Sequence, residues 1–532
     1  MFVPIILFFL LLVYSDYPSI SSVLSLSEGT VIGEEASSVT NKQDNPPYQG
    51  VNLIGYYTTL PESRDYHKPL PSNYYDESFK ILSQSGIDTI RYLFTWESYE
   101  KNPALFIAEL TKVAEAADKW GINVIYANDQ FHISSWLDPE YGYGFPSFLF
   151  ENNNELPYDG GGASDKDTAK LWWTNLYNRT VSDANGIDGW TLQANFLKKV
   201  AQTVDNYTST LGYEILNEPQ VYDKTQWQKI GNYNTYISDE LRKVSSKTII
   251  FDRQLPSDIG GPIFALPDNM AKMAPKNTNN TMFKTTLFGL PTHCSYAEDR
   301  LSTSARTAQL ARVPLWVGEF NIGITPNAPT ADINQTELNL FVDKFEEIKA
   351  WGWAYWMWSF RQHPENVKNY DLVNVTGNNI STTQYFDYYE STIPQDVGNS
   401  PVNTTQMSQA PSGDTLCPTA VVTRINGTLP GTVYSNSTED NPIPVYVESN
   451  GKASILVEGE VYDTGSGIST AEIHLQDRPY QQVAHNFPDD WSKWSSNLPI
   501  ANASGENQLI IRVLDNAGNI KYHTIFIEII NR

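Results

Sequence analysis

Two glutamates carry the chemistry that this sequence offers. Glu218 lies in GYEILNEPQ (Gly212–Gln220) and Glu319 in PLWVGEFN (Pro314–Asn321). In each, a short apolar strand is read to stop at a carboxylate: Tyr213–Leu216 before Asn217, Glu218 and Pro219, and Leu315–Val317 before Gly318 and Glu319. Carboxylates at C-terminal strand ends sit where a parallel barrel places its reactive groups. Two of them flanking one bond suit glycoside hydrolysis, with one carboxyl protonating the leaving oxygen and the other attacking or activating water. A lone Glu after a strand is more often a solvated loop residue or a helix cap. The pair gains weight because each closes one of eight similarly spaced strand segments.

The elements that must position them alternate along the chain. Strands are expected at 50–57, 88–97, 122–132, 213–216, 247–254, 283–293, 314–320 and 352–360. Helical spacing separates them at 74–85, 104–120, 190–207, 227–244, 303–312 and 337–351, with Gly86 and Gly121 as stops. Strands alternating with helices imply βα units and a parallel sheet, and eight units make a (β/α)₈ TIM barrel, an α/β fold. A doubly wound sheet is the weaker alternative, with no Gly-rich phosphate loop after the first strand to favour it. The stretch 133–188 is a long aromatic insertion, either a wall of a cleft or a packed side lobe. Glu214 shares strand parity with Glu218 but sits inside its strand, where a buried carboxylate needs a partner.

Beyond the barrel, at 48–393, a Ser/Thr/Pro-rich stretch at 394–418 reads as a linker. Residues 419–532 then read as an all-β, immunoglobulin-like sandwich of short strands separated by turns such as DTGSG (463–467) and DNAGN (515–519). Those Asp-rich stretches read as turn signals, with a calcium site as a further reading, and Trp491 and Trp494 are either core or an exposed aromatic platform. The apolar run Met1–Tyr14 is shorter than a membrane span and marks residues 1–25 as a signal peptide, with an uncleaved anchor as the alternative; residues 26–47 form a flexible lead-in.

A net charge of −25 argues against nucleic-acid and anionic-membrane partners. High aromatic content, with 14 Trp and 31 Tyr, suits stacking on sugar faces as well as large cores. Asn-x-Ser/Thr sequons recur from Asn178 to Asn502, as in exported chains. Cys294 and Cys417 are expected as free thiols rather than as one bridge. No cofactor or metal ligand set is read, and the expected location is extracellular, or surface-anchored if the leader stays.

With Glu218 and Glu319 placed, residues 48–390 resemble glycoside hydrolase family five, the cellulase family of (β/α)₈ barrels. ILNEP (Ile215–Pro219) resembles its acid/base motif and VGEF (Val317–Phe320) its nucleophile motif. The resemblance implies a retaining two-step mechanism with Glu319 as nucleophile and Glu218 as acid/base. It also implies a substrate-binding set: Arg91 beside the nucleophile, Asn217 on the sugar 2-hydroxyl, His132 after strand three, His293 and Tyr296 after strand six, and Trp356 on strand eight, with Trp358 at the same parity. The expected substrate is a β-linked oligo- or polysaccharide, β-1,4-glucan or mannan. Glycolipid headgroups, β-1,3-glucan and a non-catalytic carbohydrate-binding surface protein are the alternatives, and the C-terminal module is a candidate for polysaccharide or surface docking.

Overall fold

The structure, a computed structural model, describes residues 47–56, 58, 70–139, 142–151, 166–222, 225–254, 267–322, 333–359, 371–393, 417–426, 437, 442–447, 454–463, 466–475, 480–487, 490–500 and 505–531. The leader, the lead-in and most of the 394–418 stretch lie outside them. No helix of the described residues is long and apolar enough to cross a membrane.

Eight parallel strands close a barrel in sequence order: β1 (Tyr48–Ile54), β2 (Thr89–Phe94), β3 (Asn123–Asn128), β4 (Thr210–Glu214), β5 (Thr248–Phe251), β6 (Thr281–Phe288), β7 (Leu315–Asn321) and β8 (Gly352–Tyr355). Closure is set by β1 pairing with both β2 and β8. The helices form where local signals agree. Helix Pro103–Trp120 begins with the Asn102 side chain accepting the Leu105 N–H and Pro at its first position, and it ends at Gly121 with φ 68°, which a glycine adopts without a Cβ penalty.

Inward-facing residues stack in layers. At the bottom, Ile125, Ile250, Met282, Trp316 and Ala354 form an apolar plug. Above it, Asn52, Arg91, Glu214 and Lys284 are fully buried polar groups. Nearer the mouth, Ile54, Leu93, Ala127 and Met357 pack together with part-buried Trp356 against them. The main apolar core lies outside the strands, between barrel and helices.

Several boundaries differ from the expectation. β4 ends at Glu214, and Ile215–Leu216 continue towards Glu218 outside the ladder. The helix expected at 303–312 starts at Tyr296, because the Ser295 side chain caps it by accepting the Glu298 N–H. The aromatic insertion packs as a lobe around Phe145, Phe150, Trp172 and Trp173, all buried.

The C-terminal region is all-β. Its strands are Thr419–Ile425, Ile443–Val447, Ser454–Tyr462, Ile468–Leu475, Gln481–Gln482, Ala484–Phe487, Asp490–Pro499, Gly505–Asp515 and Ile520–Asn531, in one four-stranded and one five-stranded sheet. Ile455, Val457, Ile473, Ile511 and Ile527 fill the core between them. Trp494 belongs to that core at 3% exposure, which removes half of the aromatic platform considered above. The turn at 515–519 closes on itself, with the Asp515 carboxylate accepting the N–H groups of Ala517 and Asn519.

Cys294 and Cys417 form a disulfide, contrary to the expectation of two free thiols. The loop after β6 and the start of the sandwich bring their Cα atoms to 5.6 Å across 123 residues of sequence, a proximity no local pattern reveals. A Lys521–Asp299 ion pair of 3.0 Å joins the same two regions.

Candidate active site

The site is built upward from Asn52. Its Nδ2 donates to the carbonyls of Gly318 (2.9 Å), Ala354 (3.2 Å) and Tyr355 (3.2 Å), tying β1 to β7 and β8. Its Oδ1 accepts from Arg91 Nη1 at 2.9 Å. The Arg91 guanidinium then reaches three more groups. It makes paired 2.7 Å hydrogen bonds to Glu214, one of 2.8 Å to Glu319 Oε1, and one of 2.9 Å to Asn217 Oδ1. The partner that Glu214 required is therefore Arg91, and Arg91 stands beside Glu319 as expected.

Glu319 owes its place to a bulge. Along β6 and β7, Thr285 pairs with Val317 and Thr286 with Glu319, so Gly318 has no partner. A bulge re-aims the side chain that follows it. Without it, the inward position after Trp316 would be residue 318, and Gly318 instead leaves that space to a neighbour. A Cβ on Gly318 would lie 2.7 Å from both Cγ and Cε of Lys284. The fully buried Lys284 ammonium donates to Asn217 Oδ1 (2.6 Å), Asp252 Oδ2 (2.9 Å) and Glu319 Oε1 (3.0 Å).

Glu218 stands at the end of the β4 segment with φ 45°, a left-handed conformation rare for a residue with a Cβ. Surrounding bonds hold it there. Its N–H donates to Asp252 Oδ2 (2.9 Å), its carbonyl accepts from Gln130 (3.2 Å), and its Oε2 accepts from Gln254 (3.1 Å). Strained residues of this kind cluster at functional sites. Asn217 is fixed from both ends of its amide: Oδ1 faces Arg91 and Lys284, while Nδ2 donates to Asp129 Oδ1 at 2.8 Å.

The electrostatics separate the two glutamates. Burial works against the charge of Glu319, but Lys284 and Arg91 outweigh it and hold its carboxyl below the ordinary range. Burial, then the charge of Glu319, pushes Glu218 up to about 8, with Lys284 opposing. Two further carboxyls rise chiefly through burial: Asp129 to about 7 and Asp252 to about 6. Tyr143, from the insertion, lies in the same field. Burial and the nearby charges of Asp129 and Glu319 keep its phenol protonated well beyond the usual range.

The remaining expected residues fall differently. Trp356 is part-buried at the barrel mouth, edge-on to Phe288 with ring centroids 6.4 Å apart. Trp358, its alternative, is fully buried and donates its indole N–H to Ser78 at 3.0 Å. His132 bonds Asp138 at 2.6 Å and stacks on Phe131, without a hydrogen bond to the carboxylate cluster among the described residues. His293 is exposed beside the disulfide, 3.7 Å from Glu298, and the structure does not bring it to the cluster. The cap at Ser295 turns the chain into a helix there, so the expected pair His293 and Tyr296 straddles a helix start. The side chain of Tyr296 lies outside the described residues. Lys284, Asn52, Asp129 and Asp252 were missed; for Lys284 the available signal was a lysine in the middle of the apolar run of β6, at inward parity.

Residues 44–362 match the profile of Cellulase, glycosyl hydrolase family 5. A stretch of 242 residues is 30% identical to an endoglycoceramidase of Cyanea nozakii, covering 38% of this chain and 45% of that protein. The chain thus aligns with less than half the length of this relative. Among solved structures, the chain is similar to an endogalactoceramidase at a TM-score of 0.50 and 15% identity, covering 85% of this chain and 94% of that one. It is also similar to endo-glycoceramidase II from Rhodococcus sp., at 0.48 and 14%, covering 91% and 97%.

Proposed function

Because the chain belongs to glycosyl hydrolase family 5, the cellulase family, we propose that it is a retaining endo-β-glycosidase whose substrate is the glycan of a glycoceramide. The observation that carries the reaction is the unequal pairing of two glutamates in one electrostatic unit: Glu319 accepts from Arg91 and Lys284 at 2.8 and 3.0 Å, which favours its ionised form, while burial and the Glu319 charge push Glu218 up. Support for the substrate is the 30% identity to the Cyanea nozakii endoglycoceramidase. The expected β-1,4-glucan or mannan remains the second reading, on the family alone.

In the first step Glu319 attacks the anomeric carbon. The bond to the leaving oxygen breaks with its electron pair, and that oxygen takes the Glu218 proton. Glycosyl ester formation removes the Glu319 charge, so Glu218 becomes more acidic and turns into the base. In the second step it takes a proton from water, which attacks the same carbon and frees Glu319, so configuration is retained. Asn217 is positioned to bond the 2-hydroxyl, a contact that strengthens towards the oxocarbenium-like state. Trp356, part-buried at the mouth, is the residue proposed to stack on the sugar. His132, His293 and Tyr296 keep no assigned part in these steps.

The chain is exported in this reading. The apolar Met1–Tyr14, the sequons and the Cys294–Cys417 disulfide support an oxidising, extracellular compartment. The test is a substrate panel: glycoceramides in detergent micelles, β-1,4- and β-1,3-glucans, mannan, and aryl β-glycosides. Release of an intact oligosaccharide and ceramide, lost in Glu319→Gln, is the expected result. Activity confined to the polymers would move the assignment to the second reading, and sugar binding without any bond cleavage would remove the enzyme.

A further inference from the structure

The reaction above uses Glu218, Glu319 and Asn217, with Arg91 bonded to Glu319, and it leaves one buried cation unexplained. Lys284 is fully buried on β6, with the three protons of its ammonium matched by three acceptors: Asn217 Oδ1, Asp252 Oδ2 and Glu319 Oε1. A buried lysine is costly unless paired, so a purely apolar packing role would be served better by Met or Leu.

Its acceptors are specific. Arg91 Nη1 and Lys284 Nζ both donate to Oε1 of Glu319, at 2.8 and 3.0 Å. No donor among the described residues reaches Oε2. Asp252 Oδ2 takes both the Lys284 ammonium and the backbone N–H of Glu218. Lys284 therefore touches Glu319 and Asn217 directly and Glu218 through one carboxylate. Gly318 provides the room for its stem.

We propose that Lys284 is a positioning residue of the glycosidase reaction: with Arg91 it fixes Oε1 of Glu319 so that Oε2 is the attacking atom, and through Asn217 and Asp252 it holds the amide N–H that donates to the 2-hydroxyl and the Glu218 backbone in register with it. This rests on the retaining reading given above.

Arg91 alone does not supply this, because two of its hydrogen bonds are committed to Glu214. Among the described residues, the site gathers Glu214, Glu218, Glu319, Asp129 and Asp252 against Arg91 and Lys284, with the Tyr143 phenol nearby. Removing Lys284 takes away one of these two positive charges. The Glu319 carboxyl then rises, since Lys284 is the leading influence that lowers it after burial has raised it. The Glu218 carboxyl rises as well, since Lys284 opposes burial and Glu319 there. Both limbs of the pH profile move in the same direction, to higher pH. A change that only loosened the fold would lower the active fraction and leave the limbs in place.

The experiment compares wild type, Lys284→Met and Lys284→Arg on a 2,4-dinitrophenyl β-glycoside that the wild type turns over. Lys284→Met/Asp252→Asn is added so that the orphaned Asp252 charge cannot by itself prevent folding. The rate of covalent labelling by the matching 2-deoxy-2-fluoro glycoside is read against pH, because labelling needs only one turnover. Expected in Lys284→Met is a loss of about 10²–10³-fold in kcat/KM, an acid limb of labelling raised by about one pH unit or more, and slowed release of the glycosyl-enzyme at neutral pH. Lys284→Arg restores the limb more fully than the rate. An acid limb of labelling that stays at the wild-type pH in folded Lys284→Met, alone or with Asp252→Asn, would overturn the proposal. A wild type that is neither labelled on Glu319 nor active on any glycoside would instead overturn the retaining reading, so the two failures are distinguishable.

Discussion

Arg91 grips Glu214 through two hydrogen bonds of 2.7 Å, Nε to Oε2 and Nη2 to Oε1, with both side chains fully buried. The pair lies one layer below the reacting groups and fixes the guanidinium that touches Glu319. Taking one partner from a buried pair leaves an uncompensated charge and costs about 3–5 kcal/mol. Glu214→Gln keeps shape and one acceptor, so its cost falls at the low end, about 3 kcal/mol. Thermal unfolding of the purified variant reads this as a lower barrel transition. A midpoint unchanged from wild type would mean that Glu319 and Asn217 suffice to hold Arg91.

The pH dependence of kcat/KM follows from the two glutamates. In the proposed reaction the free enzyme needs Glu319 ionised and Glu218 protonated. Glu319 is held below the ordinary carboxyl range by Lys284 and Arg91, so the acid limb falls low. Glu218 is pushed to about 8 by burial and the Glu319 charge, so activity declines as pH rises through that value. The check is a comparison of leaving groups. An alkyl or ceramide leaving group needs the Glu218 proton and shows the alkaline limb near 8. A 2,4-dinitrophenyl leaving group needs no proton, and its glycosylation step loses that limb. The same limb with both substrates would assign it to another group.

The raised value of Glu218 also has a sign for stability. Its folded value, about 8, lies above the ordinary glutamate value of 4.5, so the folded state binds the extra proton between those limits. Stability from this group therefore falls as pH rises from 4.5 to 8, and the penalty is complete above 8. Glu218→Gln carries no such charge. The variant should melt above wild type at about pH 8.5, by on the order of a few degrees, and the difference should vanish near about pH 4. Equal midpoints at both pH values would show that Glu218 is solvated in the free enzyme.

How much of this was legible depended on range. That Glu218 follows β4 and Glu319 lies near the C-terminal end of β7 was readable because βα alternation is a local pattern, though β4 stops earlier, at Glu214, and β7 runs on to Asn321; Asn102, Pro103 and Gly121 mark helix limits in the chain itself. The part of Glu214 as a paired structural carboxylate followed from parity and the cost of an unpaired buried charge. Lys284 was passed over because a lysine inside an apolar run gives no sign of its partners, which come from the ends of β4 and β5 and from β7. The disulfide joins positions 123 residues apart, and only the folded chain places them together. The binding part expected of His293 and Tyr296 rested on the family resemblance alone, whereas the Ser295 cap turns that stretch into the start of a helix.

The two tryptophans after β8 separate binding from packing. Trp358 is fully buried, its indole N–H bonded to Ser78 and its ring edge-on to Phe386 at 6.1 Å. Truncating a core tryptophan to alanine costs about 3–5 kcal/mol, so Trp358→Ala should express poorly or melt well below wild type. Trp356 packs only partly, against the Ile54, Leu93, Ala127 and Met357 layer, and keeps some of its ring at the mouth. Losing a stacking ring there should weaken binding of the reacting sugar by about 1–2 kcal/mol, roughly 5–30-fold in kcat/KM, with a smaller loss of stability. Steady-state kinetics on one glycoside, paired with melting curves for both variants, read the two effects separately. If Trp356→Ala matched wild type in kcat/KM while melting as low as Trp358→Ala, then Trp356 would be a packing residue and the sugar face would have to be sought elsewhere on the mouth.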